Sequence, residues 1–471
     1  MLFNTIDFVV FLPVVVILYF LTPHKYRWTL LLLSSYFFYM SWRVEYAFLI
    51  AFSTILDYFL GLRMEKLPDK RRRLPFLLMS LAANLGLLFF FKYFNFAAET
   101  ANKVIYKLEL AGSIPYMDFL LPVGISFYTF QTLSYSLDVY SGNQRAEKHL
   151  GHFALYVSFF PQLVAGPIER YSRLAPQFSE KHMFSYENLV NGMRLILYGL
   201  FIKMVIADNL APLVDEIYKF PLEFSSLDIL CGIIFYSFQI YSDFYGYSLI
   251  AIGSALILGI KIMDNFKTPY LSKSIAEFWQ RWHISLSTWF RDYLFLPLGG
   301  SRVSLKKWIL NIMAVFIISG FWHGANWTFI FWGGLYGAFY LVEKGFNKLF
   351  RLDLKKDCHS FINLLLGLKT FILVSFIWVF FRSKSLSEAK TIFYQLFSSS
   401  STKEVSFHVP IYVWCWLGIF IMSDVLLYNK RFDKVLNKLP VIPRWAIYFS
   451  LITAIILYAG VENFPFIYFQ F

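Results

Sequence analysis

Apolar segments long enough to cross a bilayer, or nearly so, follow one another along the chain, at about 7–22, 26–42, 44–62, 74–95, 117–140, 150–166, 187–207, 227–263, 308–343, 361–381, 409–428 and 445–460. Inside lipid every backbone N–H and C=O needs an internal partner, which leaves helices and closed barrels as the only spanning structures. Barrel strands would alternate apolar and polar residues, whereas these runs are continuous, so the pattern predicts helices. The stretches 227–263 and 308–343 are each long enough for two passes. With 58% hydrophobic and 15% charged residues, the balance excludes a soluble protein. The sequence therefore predicts an all-α polytopic membrane protein.

The net charge of +13 does not point to nucleic acid, because the basic residues sit in short connections between apolar runs, where the positive-inside rule accounts for them. Arg63, Lys66 and Lys70 to Arg73 put one such connection in the cytoplasm. Those at Arg302–Lys307, Lys344–Lys356 and Lys430–Arg444 follow it. Counting spans then places the N-terminus and an aromatic tail, 461–471, on the extracytoplasmic side. No Lys or Arg precedes the first apolar run and no cleavage site follows it, so a removable signal is not expected. Cys231, Cys358 and Cys415 form neither a disulfide framework nor a metal pattern, and no metal site is predicted. No repeat or linker divides the chain, and 1–471 reads as a single membrane domain.

Two histidines stand in this apolar sequence, His283 in FWQRWHISLSTWFRDY and His323 in ISGFWHGANW. Imidazole exchanges a proton near neutral pH, and placing it in an apolar segment costs solvation unless a polar cavity or partner receives it. The segment 275–296 mixes Glu277, Gln280, Arg281, Arg291 and Asp292 with aromatic residues; it is amphipathic, too polar to span, and reads as interfacial or re-entrant helices. Trp282 beside His283, and Trp322 and Asn326 beside His323, are candidates to bind substrate, position a ring or donate a hydrogen bond to a developing oxyanion. Asp243, an acid amid aromatics in QIYSDFYGYS, is either paired structurally or lines the substrate path. Lys203 and Asp208 lie five apart, too far for the usual pair on a helix face, and read as the end of a span.

Five stretches, LPVGISFYTFQTLSYSLDVY, FFPQLVAGPIER, LFIKMVIADNLAPLVDEIY, FWQRWHISLSTWFRDYLFLPLGGSR and SGFWHGANWTFIFWGGLYG, resemble the membrane-bound O-acyltransferase family. The bacterial branch it is similar to includes the alginate O-acetylation membrane protein and the teichoic acid D-alanyl transferase. The resemblance implies a ring of about 11–14 transmembrane and re-entrant helices around a central tunnel. It also implies that His323 is catalytic and that His283 lies on the cytoplasmic side, near donor entry.

On this reading the protein sits in a bacterial cytoplasmic (inner) membrane. It moves an acyl group, acetyl in the first instance, from a cytoplasmic thioester, acetyl-CoA or an acyl carrier protein, towards an exported or cell-wall polysaccharide. No bound cofactor is expected, and the implied partners are membrane lipid, the glycan acceptor and an extracytoplasmic esterase-like (SGNH) acyltransferase. Neutral imidazole can remove a hydroxyl proton as the oxygen attacks a thioester. No G-x-S-x-G elbow or Cys–His pair suggests a covalent Ser or Cys intermediate. D-alanyl transfer from a carrier protein is the alternative within the family, and Leu249, where many alginate-type members carry an acid, keeps it open. A transporter or flippase is the alternative from another class, but no pairwise repeat relates the two halves.

The chain ends ENFPFIYFQF, a tail poorly solvated if left free. It reads either as an aromatic belt anchoring the final helix or as a plug. It is similar to the aromatic C-terminal motif, with a central Tyr, of the small partner in teichoic acid D-alanylation, which implies Tyr468 as an acyl acceptor. In that reading Phe466, Phe469 and Phe471 plug an outer funnel and Tyr468 reaches His323.

Overall fold

A computed structural model describes residues 1–118, 120–164, 166–350, 360–398, 407–459 and 464–469, and among them every regular element is helical. Among the described residues six helical stretches are long and apolar enough to cross a membrane, including Glu45–Glu65, Lys70–Lys107, Tyr186–Lys219 and Leu305–His323, and Ile6–Leu21 and Ile411–Leu426 are shorter apolar helices. The protein is a polytopic helical membrane protein. The chain forms two compact units, 1–190 with 254–263 and 191–253 with 264–471.

The first unit is built from α1 (Ile6–Leu21), α2 (His24–Met40), α3 (Glu45–Glu65), α4 (Lys70–Leu88), α5 (Phe94–Lys107), α6 (Ile125–Ser141), α7 (Leu150–Ser158), a single turn α8 (Phe160–Leu163), α9 (Tyr171–Ser179) and the start of α10 (Tyr186–Phe201). The apolar run expected from 117 becomes helical only at Ile125, after Gly124 takes φ +76°, a left-handed conformation that glycine adopts without strain. Buried Asp57 on α3 accepts hydrogen bonds from Ser80 (2.5 Å), Asn84 Nδ2 (2.8 Å) and Ser136 (3.3 Å) on α4 and α6. A buried carboxyl group is tolerated when its oxygens are bonded in this way.

The second unit continues α10 through a π-helical segment, Ile202–Ala207, into α11 (Asp208–Lys219). It then holds α12 (Ser226–Ile257) up to Gly253, α13 (Ile275–Arg281), α14 (Ile284–Phe290), α15 (Leu305–His323), α16 (Trp327–Leu349), α17 (Ser360–Arg382), α18 (Leu386–Phe397), α19 (Ile411–Leu426), α20 (Phe432–Lys438) and α21 (Val441–Tyr458). The run 308–343 does hold two helices. The run 227–263 does not: α12 is one helix of 32 residues. Its serines and Asp243 lie on an unbroken helix because no proline interrupts it up to Ile257 and its glycines stay helical, and the chain turns only at Gly259, φ +85°. The segment 275–295 forms two short helices, as its amphipathic composition predicts, and a π-helical turn.

Two glycine crossings fix helices that carry the candidate site. A Cβ at Gly199 would lie 2.7 Å from the Gly246 carbonyl oxygen, and one at Gly253 would lie 2.6 Å from that of Gly192, so α10 and α12 touch backbone to backbone at two points seven residues apart. On α15 and α16, a Cβ at Gly320 would sit 2.2 Å from the Phe329 carbonyl oxygen and one at Gly333 2.2 Å from that of Phe316. Small residues at such crossings let apolar helices approach where no hydrophobic drive separates lipid from protein.

Candidate active site

His323 is the last residue of α15, and its ring is presented where that helix stops. Gly324 follows in an extended conformation, and Asn326 caps α16 by accepting a hydrogen bond from the Thr328 N–H at 3.0 Å. The Asn326 amide donates to the Lys384 carbonyl at 2.8 Å, so both halves of this side chain serve the turn. The buried His323 ring is walled by Trp322 at 4.9 Å between ring centroids, Trp332 at 5.1 Å, Phe381 at 5.4 Å and Tyr468 at 5.7 Å.

His283 is also fully buried, and it is the N-cap of α14 in a left-handed conformation, φ +41°. Its Nδ1 accepts the Leu286 N–H at 3.3 Å, which assigns the neutral tautomer with its proton on Nε2. Burial pushes the imidazole down to about 3, in keeping with a neutral ring. A bulky residue at positive φ costs on the order of 1–3 kcal/mol, and the neighbouring segment supplies the restraint: the Asn265 carbonyl accepts the Ile284 N–H at 2.9 Å, and Asn265 Oδ1 accepts the Ser285 hydroxyl at 2.6 Å. Trp322 lies 6.3 Å from His283 and so contacts both imidazoles. Trp282 is buried behind His283 against Phe266 and Trp378, both at 5.0 Å.

Beside this turn lies a cavity of about 260 Å³ lined by Ser248, Leu249, Asn265 and Thr268 and rimmed by Lys267 and Lys430. The hydroxyls of Ser248 and Thr268 and the Nδ2 of Asn265 are buried without a hydrogen-bond partner among the described residues. Because Asn265 Oδ1 is taken by Ser285, its free half is a donor.

The tail enters the same unit. Phe466 is fully buried against Tyr247 (4.7 Å) and Phe244 (5.4 Å), and Tyr468 packs at a tilt on Phe244 at 4.6 Å, whose ring also meets His283 at 4.7 Å. The Tyr468 hydroxyl is sealed from solvent with no hydrogen-bond partner among the described residues. Burial, and after it the charge of Asp243, push its phenol well above the ordinary value. The Phe469 side chain and Phe471, which the plug reading also invoked, lie outside the described residues.

Asp243 is paired: one oxygen lies 2.7 Å from Lys203 Nζ, and the other accepts the Ile467 N–H at 2.6 Å. Lys203 also bridges to Asp208 at 2.7 Å, which corrects the reading of these two as unpaired. The reason is the π-helical turn, where the Asp208 N–H bonds to the Lys203 carbonyl and residues five apart come into register. Lys203, Phe244, Trp332 and Phe381 were not singled out as site residues by sequence reasoning. Only Lys203, a cation inside an apolar run, carried a signal that could have found it.

Residues 144–383 match the family described as MBOAT, membrane-bound O-acyltransferase family, a range that includes both histidines. The chain is similar to the probable alginate O-acetylase of Pseudomonas aeruginosa, 39% identical over 393 residues that cover 82% of this chain and 73% of the relative. It is 37% identical over 421 residues to the peptidoglycan O-acetyltransferase of Helicobacter pylori, covering 83% and 78%. To the teichoic acid D-alanyltransferase of Bacillus subtilis it is 34% identical over 231 residues, covering 46% and 57%.

Proposed function

The chain belongs to the membrane-bound O-acyltransferase family and is a multi-pass membrane O-acyltransferase; from that premise we propose that it carries an acetyl group from a cytoplasmic thioester to Tyr468, for onward O-acetylation of an exported or cell-wall polysaccharide. His323 is the general base in this reading, Tyr468 the nucleophile, and His283 with Trp282 the donor-side positioning pair. The observation that carries it is the buried Tyr468 hydroxyl, without a hydrogen-bond partner among the described residues, in ring contact with the intramembrane His323.

The chemistry follows from those groups. A phenol whose pKa is raised offers no standing phenolate, so its proton must leave as the new bond forms, and neutral imidazole is the group to receive it. The phenolic oxygen attacks the thioester carbonyl, the C–S bond breaks, and the departing thiolate takes the proton back from the imidazolium. The product is an aryl ester, activated because phenol is a better leaving group than an alkyl alcohol. An extracytoplasmic esterase-like transferase then accepts the acyl group and the phenol is regenerated. The cavity beside His283, lined by Lys267, Lys430 and Arg431 against one acid, Asp264, and by the buried donors of Ser248, Asn265 and Thr268, supports entry of a phosphate-bearing thioester arm there, from acetyl-CoA or a carrier protein.

Two relatives named for O-acetylation cover over four-fifths of this chain, and two teichoic acid D-alanyltransferases only 46% and 54%, which favours acetyl over D-alanine. A bacterial cytoplasmic membrane is the location this reading requires. The test is His323→Ala in cells carrying only that variant. Acylation of the exported glycan should fall by about 10²–10⁴ with the protein still inserted, the range expected on removing a general base. Near-normal acylation would overturn the assignment.

A further inference from the structure

We propose that Lys203 and Asp243, with Asp208 as the lysine's second acid, form a latch for the C-terminal segment, positioning residues that grip its backbone and so hold Tyr468 against His323. A cation with two acids in an apolar helix pair is costly to desolvate, and a merely structural ion pair needs only one acid. Here the surplus bonding capacity goes to the tail. Lys203 Nζ, between its two carboxylates, donates to the Phe464 carbonyl at 3.1 Å, and the Asp243 oxygen that does not face Lys203 accepts the Ile467 N–H at 2.6 Å. Asn209, the residue after Asp208, donates to the Tyr458 carbonyl at the end of α21 (2.8 Å), so one short stretch meets the chain where it leaves the last helix and again in the tail.

The tail needs such a partner for a physical reason. Residues 464–466 lie outside a helix and Ile467 opens a single 3-10 turn, so these backbone groups have no helical partner and must be satisfied by protein when buried in apolar surroundings. Pro465, between the two gripped residues, has no N–H to satisfy. The grip is on backbone atoms, and the side chains of Phe466 and Tyr468 turn onto Phe244. Two features of the helices build the latch. The π-helical turn brings Asp208 into register with Lys203, and Gly246, whose Cβ would lie 3.1 Å from that of Lys203, lets α10 come close enough for Lys203 to reach Asp243.

The consequence for transfer rests on the carrier reading of Tyr468; the grip itself does not. Ile467→Cys, in a full-length chain with its native cysteines replaced by Ser, reports the tail through the rate of maleimide labelling in detergent. The triple variant Lys203→Met, Asp208→Asn, Asp243→Asn avoids leaving an uncompensated charge, and it should label at least tenfold faster. Asp208→Asn alone, which makes no hydrogen bond to the described tail residues, should label within twofold of the parent. Parental labelling in the triple variant would overturn the latch. Should that variant fail to fold, amide hydrogen exchange over 464–469 in the unmutated protein decides: a slow amide at Ile467 is expected, and uniformly fast exchange would overturn the latch. A protected tail in a Tyr468→Phe protein that acylates normally would keep the latch and remove the carrier reading.

Discussion

Tyr468→Phe separates an acyl carrier from an aromatic anchor because the two readings predict opposite outcomes from the loss of one oxygen. The ring contacts with Phe244 (4.6 Å), Phe466 (5.4 Å), His323 (5.7 Å) and Phe381 (6.1 Å) need only the aromatic face, and phenylalanine keeps them. The hydroxyl is buried without a hydrogen-bond partner among the described residues, so its removal breaks no bond. A buried polar group left unsatisfied costs about 1–3 kcal/mol, and deleting it returns part of that. The variant should therefore be as stable as the parent or more stable by about 1 kcal/mol, read as a melting midpoint in detergent that is unchanged or slightly raised. Acylation of the exported glycan, measured by mass on material from cells carrying only the variant, should fall as far as in His323→Ala. Stability maintained with activity lost identifies the oxygen as a reactant. Wild-type acylation would leave the tail an anchor, and a midpoint lowered by several degrees would refute the reasoning about the hydroxyl.

Two further outcomes follow from the helix ends and crossings. His283→Asn keeps a side-chain acceptor for the Leu286 N–H and tolerates the left-handed backbone, so it should fold like the parent, whereas His283→Ala should lose about 1 kcal/mol with the cap; both should weaken donor use in a reconstituted transfer assay, and full donor use by the Asn variant would limit His283 to capping. Gly333→Ala drives a methyl group to within 2.2 Å of the Phe316 carbonyl oxygen and should lower the melting midpoint and with it acylation, at an overpacking cost of about 1–3 kcal/mol, while Gly334→Ala, which meets nothing within 4 Å, should be silent; equal midpoints for the two would refute the crossing.

The helical class was legible because lipid leaves the backbone so few options, and a run of apolar residues states its own length. The two helices of 308–343 were legible for a similar reason: the Gly and Asn of HGAN supply a stop and a cap. The single helix of 227–257 was not, since length permits two passes without requiring them, and what ends α12 is one glycine past the point where a second span would begin. His283 was read as a titratable group in an amphipathic segment; its work as a cap at positive φ depends on Asn265, eighteen positions away, and no local pattern announces it.

Lys203 and Asp208 show the limit most clearly. Helical periodicity assigns residues to a face on the assumption of 3.6 residues per turn, and on that assumption a five-residue spacing separates a lysine from an acid. A π-helical turn changes the period over six residues and joins them. The partners of that turn lie outside the local sequence: Gly199 just before it is pressed against the Gly246 backbone, and Asp243, one turn from Gly246, offers the lysine a second acid. The charge pattern KMVIAD reads locally as the end of a span, and its pairing depends on a tail segment more than two hundred and fifty residues away that comes back to meet it. A cation and an acid buried five apart in a spanning helix are therefore grounds to look for a third partner distant in sequence, and here that partner is an acid whose other oxygen holds the tail.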